Sequence, residues 1–403
     1  MSLAPVEEAQ ASLLADVIPV KECVTLSLRN CLGSVLASDL VSQIDVPPCD
    51  NSAMDGYAIR VSDSVNDALL LVKQKVFAGS SPKPLEAGEA ARIFTGASIP
   101  ENANAVVMQE NCVEHESRLT IRAKAKVGDH IRPQGQDVRQ GETVLSAGKR
   151  LSAQDVGLAA SLGEVRLDVY RKLKVAILST GDELLEPGMP PEPNKIYNSN
   201  RYLLHSLLTR LGIEVHDAGI VPDCLDDTKA MVLSLAENVD LIISSGGVSV
   251  GEADFVKNVI DELGELRFWK LAMKPGKPLA YGRVSGTPYF GLPGNPVSAF
   301  ATFAVMVRPY LLQMQGVSGR VLPIAMKLPA AFDWPKAGTR QEYLRANIQH
   351  NEAGTAELAL FSNQSSGVLS SVSWADGFVV VPPGQTFQTC DLVDFLPFEG
   401  LLA

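Results

Sequence analysis

Between Lys172 and Gln315, strand-length apolar runs alternate with helix-length segments, and no other feature limits the possible folds as much. "KLKVAILSTGDEL" is an unbroken apolar run that ends in a polar turn. "NSNRYLLHSLLTRLG" places Leu203, Leu204, Leu207, Leu208 and Leu211 on one helical face and ends at Gly212. "IEVHDAGIVPD" and "DLIISSGG" read as two further strands, each followed by a helical segment, "LDDTKAMVLSLAENV" and "ADFVKNVIDELG". "PLAYGRV" and "TPYFGLPGNP" add two more strands before a helix from Val297 to Gln315. Strands that are apolar throughout are buried on both faces. The pattern therefore predicts an α/β domain with a mostly parallel, doubly wound central sheet.

The 403 residues are enough for two or three domains in all. Ahead of the α/β segment, a helix is expected from Val6 to Ile18, then a helical stretch leading into an extended run over Cys23 to Leu40. From Asp45 to about Gly148, short apolar runs cut by Gly, Pro, Asn and Asp predict a β-rich region. "SAQDVGLAASLG" predicts a helix with Ser152 or Asp155 near its start. After Ser318 the runs "VLPIAMKLPAAF", "QEYLRANIQ", "AELALFS", "GFVVVPPG" and "DLVDFLPF" predict a small C-terminal β-domain.

Composition narrows the function. A net charge of -11 argues against a nucleic-acid-binding surface. The most apolar segment, "VSAFATFAVMV", is too short to span a membrane and stops at Arg308-Pro309. Glu7 and Glu8 stand where a signal peptide needs positive charge, so a cytoplasmic protein is expected. The six cysteines form no C-x-x-C pair and the histidines no H-E-x-x-H pair, which gives a zinc site little support.

In open α/β sheets, ligands bind beyond the carboxyl ends of the strands. Here those ends carry Asp182 and Glu183, then Asp223, then Glu252 and Asp254. Singly, each carboxylate is best read as a cap or turn former. Together they repel unless a cation lies among them, and hard oxygen donors favour Mg²⁺ beside substrate phosphates. Gly246, Gly247 and Gly251 allow backbone N–H groups to approach a phosphate. The run Arg267 to Arg283 holds five cations and no acid, two of the lysines within the turn "KPGKP". A solvated basic face and an anion site are equally good readings of it. Gly247-Val-Ser-Val-Gly251 matches the G-x-S-x-G pattern of serine hydrolases. Yet the turn continues beyond Ser249, and only His350 follows it in the chain, so a phosphate-contacting loop explains the glycines better.

"DNSAMDGYA", "RIFTGASIP", "STGDEL", "SSGGVSVGEAD", "KPGKP" and "GLPGNPVS", in this order, closely resemble the MoeA family of molybdopterin molybdenumtransferases, to which the gephyrin E-domain is related. The resemblance spans nearly the whole chain. It implies an elongated N-terminal domain (1–45 with 145–170), an inserted β-rich domain (46–144), an α/β domain resembling the molybdopterin adenylyltransferases (171–318) and a C-terminal β-barrel (319–403). It also implies insertion of molybdate into adenylylated molybdopterin, with Mg²⁺-dependent release of AMP, by a homodimer whose cleft draws on both subunits. The molybdopterin adenylyltransferase and acceptor molybdoenzymes are the implied protein partners.

Carried over by motif, Asp55 and Thr95 reach the cleft from the partner subunit, with Arg132 and Asp137 nearby. Glu183, Asp223 and Asp254 form the acidic set, with Asp223 and Asp254 as Mg²⁺ ligands. Gly246, Gly247, Ser249, Lys270, Pro293, Asn295 and Pro296 line the substrate site. Lys274, Lys277 and Ser298 resemble molybdate contacts, completed by Arg345 and Ser366. Cys224 stands where many relatives carry a second acid. A molybdopterin-binding scaffold without turnover, an ATP-using adenylylating enzyme and the hydrolase are the competing readings. The adenylylating fold would cover only the middle of the chain.

Overall fold

The computed structural model describes residues 3–64, 68–221, 224–247, 259 and 262–402. Its central sheet has six strands, in the order Glu214–Val221, Lys174–Thr180, Leu241–Ser245, Thr287–Leu292, Pro278–Val284 and Gly264–Lys270. The first four run parallel. Pro278–Val284 runs antiparallel to both of its neighbours. The unbroken apolar runs have a simple cause. Val175, Ile177, Ile243 and Phe290 face one core, and the alternate residues Ala176, Leu178, Ile242 and Tyr289 face another. Both faces are buried, so a polar alternation has nowhere to point.

The edge strand Gly264–Lys270 is not expected from the sequence, where its Arg267 and Lys270 open a basic run that reads equally as a solvated face or an anion site. Arg267 pairs within the strand with Glu265, whereas Lys274 and Arg283, later in the run, pair with the distant Glu342 and Asp16.

The helix spanning Pro296–Met314 is long and apolar enough to cross a membrane, with a mean hydropathy of 1.3, but 94% of that stretch is buried inside the protein. Phe303–Val307 adopts π-helical geometry within it. Gln10 Nε2 donates to Val305 O there, at 2.8 Å. This bond ties the opening helix Val6–Ala15 to the α/β core, into which Val6, Ala9 and Leu13 are packed.

Cys23–Ser27 is a strand, not the expected helix, and pairs antiparallel with Arg166–Tyr170. β-Branched Val24 and Thr25 favour the extended form once a partner strand is present. Ala153–Ser161 is helical, as expected. Ser152 and Asp155 form a reciprocal capping box at its start.

The region between these N-terminal segments folds as a six-stranded sheet around Gly56–Ile59 and Glu89–Ile93. The C-terminal residues form another, in which Gln341–His350 pairs with Met273–Lys274, Ala356–Leu360 and Gly377–Val381.

Arg171 joins the N-terminal strand pair to the sheet through a two-pronged contact with Asp240, at 2.7 and 2.8 Å, while Lys174 N donates to the same carboxylate at 2.7 Å. Burial raises the Asp240 pKa, but these donors outweigh it and the net shift is downward. A carboxylate with a depressed folded pKa stabilises above its ordinary value near 4, and the effect is lost as pH falls through the folded value. Asp240→Asn is therefore expected to cost about 2 kcal/mol at pH 7 and far less near pH 2, as read by denaturant unfolding at the two pH values. An equal loss at both would contradict the ionic role.

Candidate active site

Three parallel strands end at one cavity of about 590 Å³. Thr180, Ser245 and Gly246 line it from the strand ends. Gly246 knits these ends together. Its N donates to Leu292 O at 3.1 Å, and its φ is +91°. A Cβ at this position would lie 2.7 Å from Thr180 O, so the close approach itself demands glycine.

The helix Ser199–Arg210 brings two asparagines to the same wall. Asn200 Nδ2 donates to Ser245 Oγ at 2.7 Å and to Gly294 O at 2.8 Å. Asn198 caps the helix, its Oδ1 accepting from Arg201 N at 3.2 Å. These bonds fix which way each amide faces. Asn198 Nδ2 and Asn200 Oδ1 are left buried without a protein partner among the described residues, on side chains 2% and 7% exposed. An unmet donor and an unmet acceptor in one cavity wall fit a ligand with a donor–acceptor edge, because unpaired buried polar groups are costly.

The far wall comes from the start of the long helix and a loop of the C-terminal region. Asn295 is the N-cap and Pro296 the first helical residue, and both line the cavity. Pro293 and Ser298 are buried beside them. Val297 N donates to Ser366 O at 3.0 Å, which docks the loop carrying Gly367 and Leu369 onto this helix start. Arg345 holds that loop. It is fully buried, and it donates to Ser371 Oγ at 3.0 Å and Ser365 O at 3.1 Å, with longer contacts to Asn363 O and Tyr343 O. Burial pushes its pKa down to about 10. Its donors are aimed at the protein, so Arg345 shapes the cavity through the loop that bears Ser366.

The "KPGKP" turn packs on the same helix. A Cβ on Gly276, whose φ is +108°, would lie 2.5 Å from Thr302 Oγ1. Lys274 and Lys277 are both exposed, and Lys274 Nζ donates to Glu342 at 3.0 Å. Lys270 sits on the edge strand opposite Pro278.

Glu183 lines the cavity and is exposed. Among the described residues no three His, Cys, Asp or Glu side chains converge as a metal centre. Glu183 is a hard oxygen donor at the strand ends, which suits Mg²⁺ when substrate phosphates supply further oxygens. Asp223, Ser249 and Asp254 lie outside the described residues.

A second group is assembled on the inserted sheet. Asp55 Oδ1 accepts from Thr95 N and Thr95 Oγ1, both at 2.8 Å. These bonds, the backbone N–H first, hold the Asp55 pKa below the usual range and keep it ionised. Arg132 lies across from Asn51 in a short strand pair, and Asp137 N donates to Val46 O at 2.9 Å. None of Asp55, Thr95, Arg132 or Asp137 lines the strand-end cavity within one chain. Asn198, Asn200, Thr180 and Ser245 escaped the sequence reading. "NSN" looks like an ordinary helix start, and only its position at the strand ends marks it.

Comparison with known proteins agrees with this architecture. Family models described as the MoeA N-terminal region (domains I and II), a probable molybdopterin binding domain and the MoeA C-terminal region (domain IV) match residues 4–163, 176–313 and 327–398. A molybdopterin molybdenumtransferase of Haemophilus influenzae is 38% identical over 98% of this chain and 99% of its own length. One from a Nostoc species is 35% identical over 88% of this chain and 84% of its own length. A crystal structure of the molybdopterin biosynthesis MoeA protein of Pyrococcus horikoshii matches with a TM-score of 0.84 and 30% identity, over 98% of this chain and 100% of that one. With its strand-end cavity and full-length similarity to these relatives, the chain belongs to the MoeA family of enzymes, the molybdopterin molybdenumtransferases.

Proposed function

We propose that this enzyme inserts molybdate into adenylylated molybdopterin and releases AMP in a Mg²⁺-dependent step, forming molybdenum cofactor. The observation that carries the reading is the strand-end cavity with its buried, unmet amide donor and acceptor on Asn198 and Asn200. A pterin presents the matching edge of ring N–H groups and carbonyl. The Gly246 N–H is held by Leu292 O, so it is the turn's next backbone N–H, that of Gly247, that would approach the phosphates. Lys274 and Lys277, with Ser298 and the loop of Ser366, hold the oxyanion. Glu183, Asp223 and Asp254 are the residues that would hold Mg²⁺, with Asp223 and Asp254 as its direct ligands; the chemistry it supplies when bound is polarisation of the phosphoanhydride.

The two dithiolene sulfurs bond molybdenum as one molybdate oxygen leaves as water with the two thiol protons, and a second water cleaves the phosphoanhydride to release AMP, so no protein nucleophile is required. In a homodimer, Asp55 and Thr95 of one subunit, with Arg132 and Asp137, complete the cavity of the other. The ionised Asp55 is already oriented by Thr95 and orients a water or substrate hydroxyl. Supporting a closed C-terminal barrel, a single bridge from Ala330 to Leu358 brings opposite parts of that sheet together. The molybdopterin adenylyltransferase would supply the substrate, and acceptor molybdoenzymes would take the product.

The test is reconstitution of an apo-molybdoenzyme, with molybdopterin binding measured separately by fluorescence. Asn200→Ala is expected to weaken molybdopterin binding by roughly 10- to 100-fold, the worth of one or two buried hydrogen bonds. Glu183→Gln is expected to bind normally and yield little cofactor. Asp223→Ala and Asp254→Ala should fold normally and lose Mg²⁺-dependent AMP release. Full cofactor yield from all four variants would refute the assignment.

A further inference from the structure

A second cavity, also of about 590 Å³, lies away from the strand ends, between the N-terminal segments and the α/β helices. Arg150, Arg210, Arg308 and Arg320 line it, with the hydroxyl-bearing Ser152 and Thr209, and no acidic residue among those described does. In a chain of net charge -11, four guanidinium groups around one acid-free cavity are out of keeping with the rest of the molecule. Two of the arginines are set into its wall. Arg308 is only 6% exposed and donates to Val321 O at 3.0 Å. Arg150 is half-buried and donates through Nε to Gly33 O at 3.2 Å, one of its five N–H groups. Arg210 and Arg320 are exposed at the mouth.

Arg150, Arg210 and Arg320 take part in none of the ion pairs among the described residues. The nearest acid in that segment, Asp155, is held by Lys149 at 2.7 Å and by Ser152. Burial, then the charge of Arg150, pushes the Arg308 pKa down to about 10. Like charges gathered in a partly dry cleft repel, and a polyanion among them removes that cost.

We propose that this arginine cavity binds a phosphate group, either inorganic or as a small phosphate ester. A single carboxylate carries one charge against the three cations, Arg150, Arg210 and Arg320, that enter none of the ion pairs among the described residues. A phosphate carries up to two and offers three or four acceptor oxygens to forked guanidinium donors. Its lining comes from both sides of the junction: Arg150 and Ser152 from the N-terminal segments, the other arginines from the α/β helices and the chain after them. A bound phosphate would therefore clamp the two together.

The experiment titrates the full-length protein, without Mg²⁺, with pyrophosphate and separately with glycerol 3-phosphate, by calorimetry at constant ionic strength. The variants are R210Q/R320Q, at exposed positions that leave the buried arginines in place, and K274Q/K277Q, which removes the lysines proposed to hold the molybdate oxyanion instead. The expected result is saturable binding of at least one probe that weakens at least 10-fold in R210Q/R320Q and is retained in K274Q/K277Q. The tighter probe then tells an inorganic anion from an ester. Unchanged binding in R210Q/R320Q, loss only in K274Q/K277Q, or no saturable binding of either probe would overturn the proposal.

Discussion

Gly246→Ala is expected to abolish cofactor formation, with a fall of more than 100-fold, and to lower stability by on the order of 2–4 kcal/mol. Two separate penalties act at once. The added Cβ would sit 2.7 Å from the carbonyl oxygen of Thr180, a backbone atom that cannot swing aside as a flexible side chain would. The φ of +91° is also one that an L-residue adopts only under strain. Relief requires the ends of Lys174–Thr180 and Leu241–Ser245 to part. That would shift Ser245, to which Asn200 is bonded, and so misplace the amide wall of the cavity. Thermal unfolding and cofactor yield measured on the same preparation check this. A folded Gly246→Ala protein with full yield would show that the strand-end geometry does not carry the chemistry.

Arg345→Met is expected to be nearly as damaging by a different route. The substitution keeps apolar bulk and removes a guanidinium that serves Ser371 Oγ and three backbone carbonyls. Burial disfavours the charge at this position, so the group is held there by those hydrogen bonds. Leaving several buried acceptors unmet costs about 2–4 kcal/mol in total. The loop that carries Ser366, Gly367 and Leu369 then loses its anchor, and its bond to Val297 N is expected to loosen. A raised KM for molybdate is expected together with a lower melting temperature. Arg345→Lys restores neither, because one ammonium cannot reach acceptors spread around a planar fork. If KM stays unchanged while stability falls, Arg345 supports the fold alone.

Much of this architecture is legible in the chain because it follows from burial. The strands of the central sheet are apolar on both faces, so "KVAILST" and "LIISS" announce themselves. Gly212 ends its helix with a φ of +76°, as its place after the leucine stripe predicts. What is not legible depends on partners distant in sequence. Gly264–Lys270 is not legible as a strand because its extended form depends on its antiparallel partner Pro278–Val284, and the acids that pair with Lys274 and Arg283, Glu342 and Asp16, lie far away in the chain. Cys23–Ser27 is extended because Arg166–Tyr170 lies beside it.

The site divides in the same way. Glu183, Asn295 and Pro296 carry motif signals and meet at the cavity. Asn198 and Asn200 carry none, since an asparagine near a helix start is ordinary capping chemistry until its spare donor or acceptor is seen buried.

The central claim is the insertion reaction, and AMP release from adenylylated molybdopterin tests it most directly, with molybdate and Mg²⁺ each left out in turn. Rapid release is expected only when both are present, and none from Asp223→Ala or Asp254→Ala. No release from the folded protein under any of these conditions would contradict it, and would leave a protein that binds molybdopterin without turning it over.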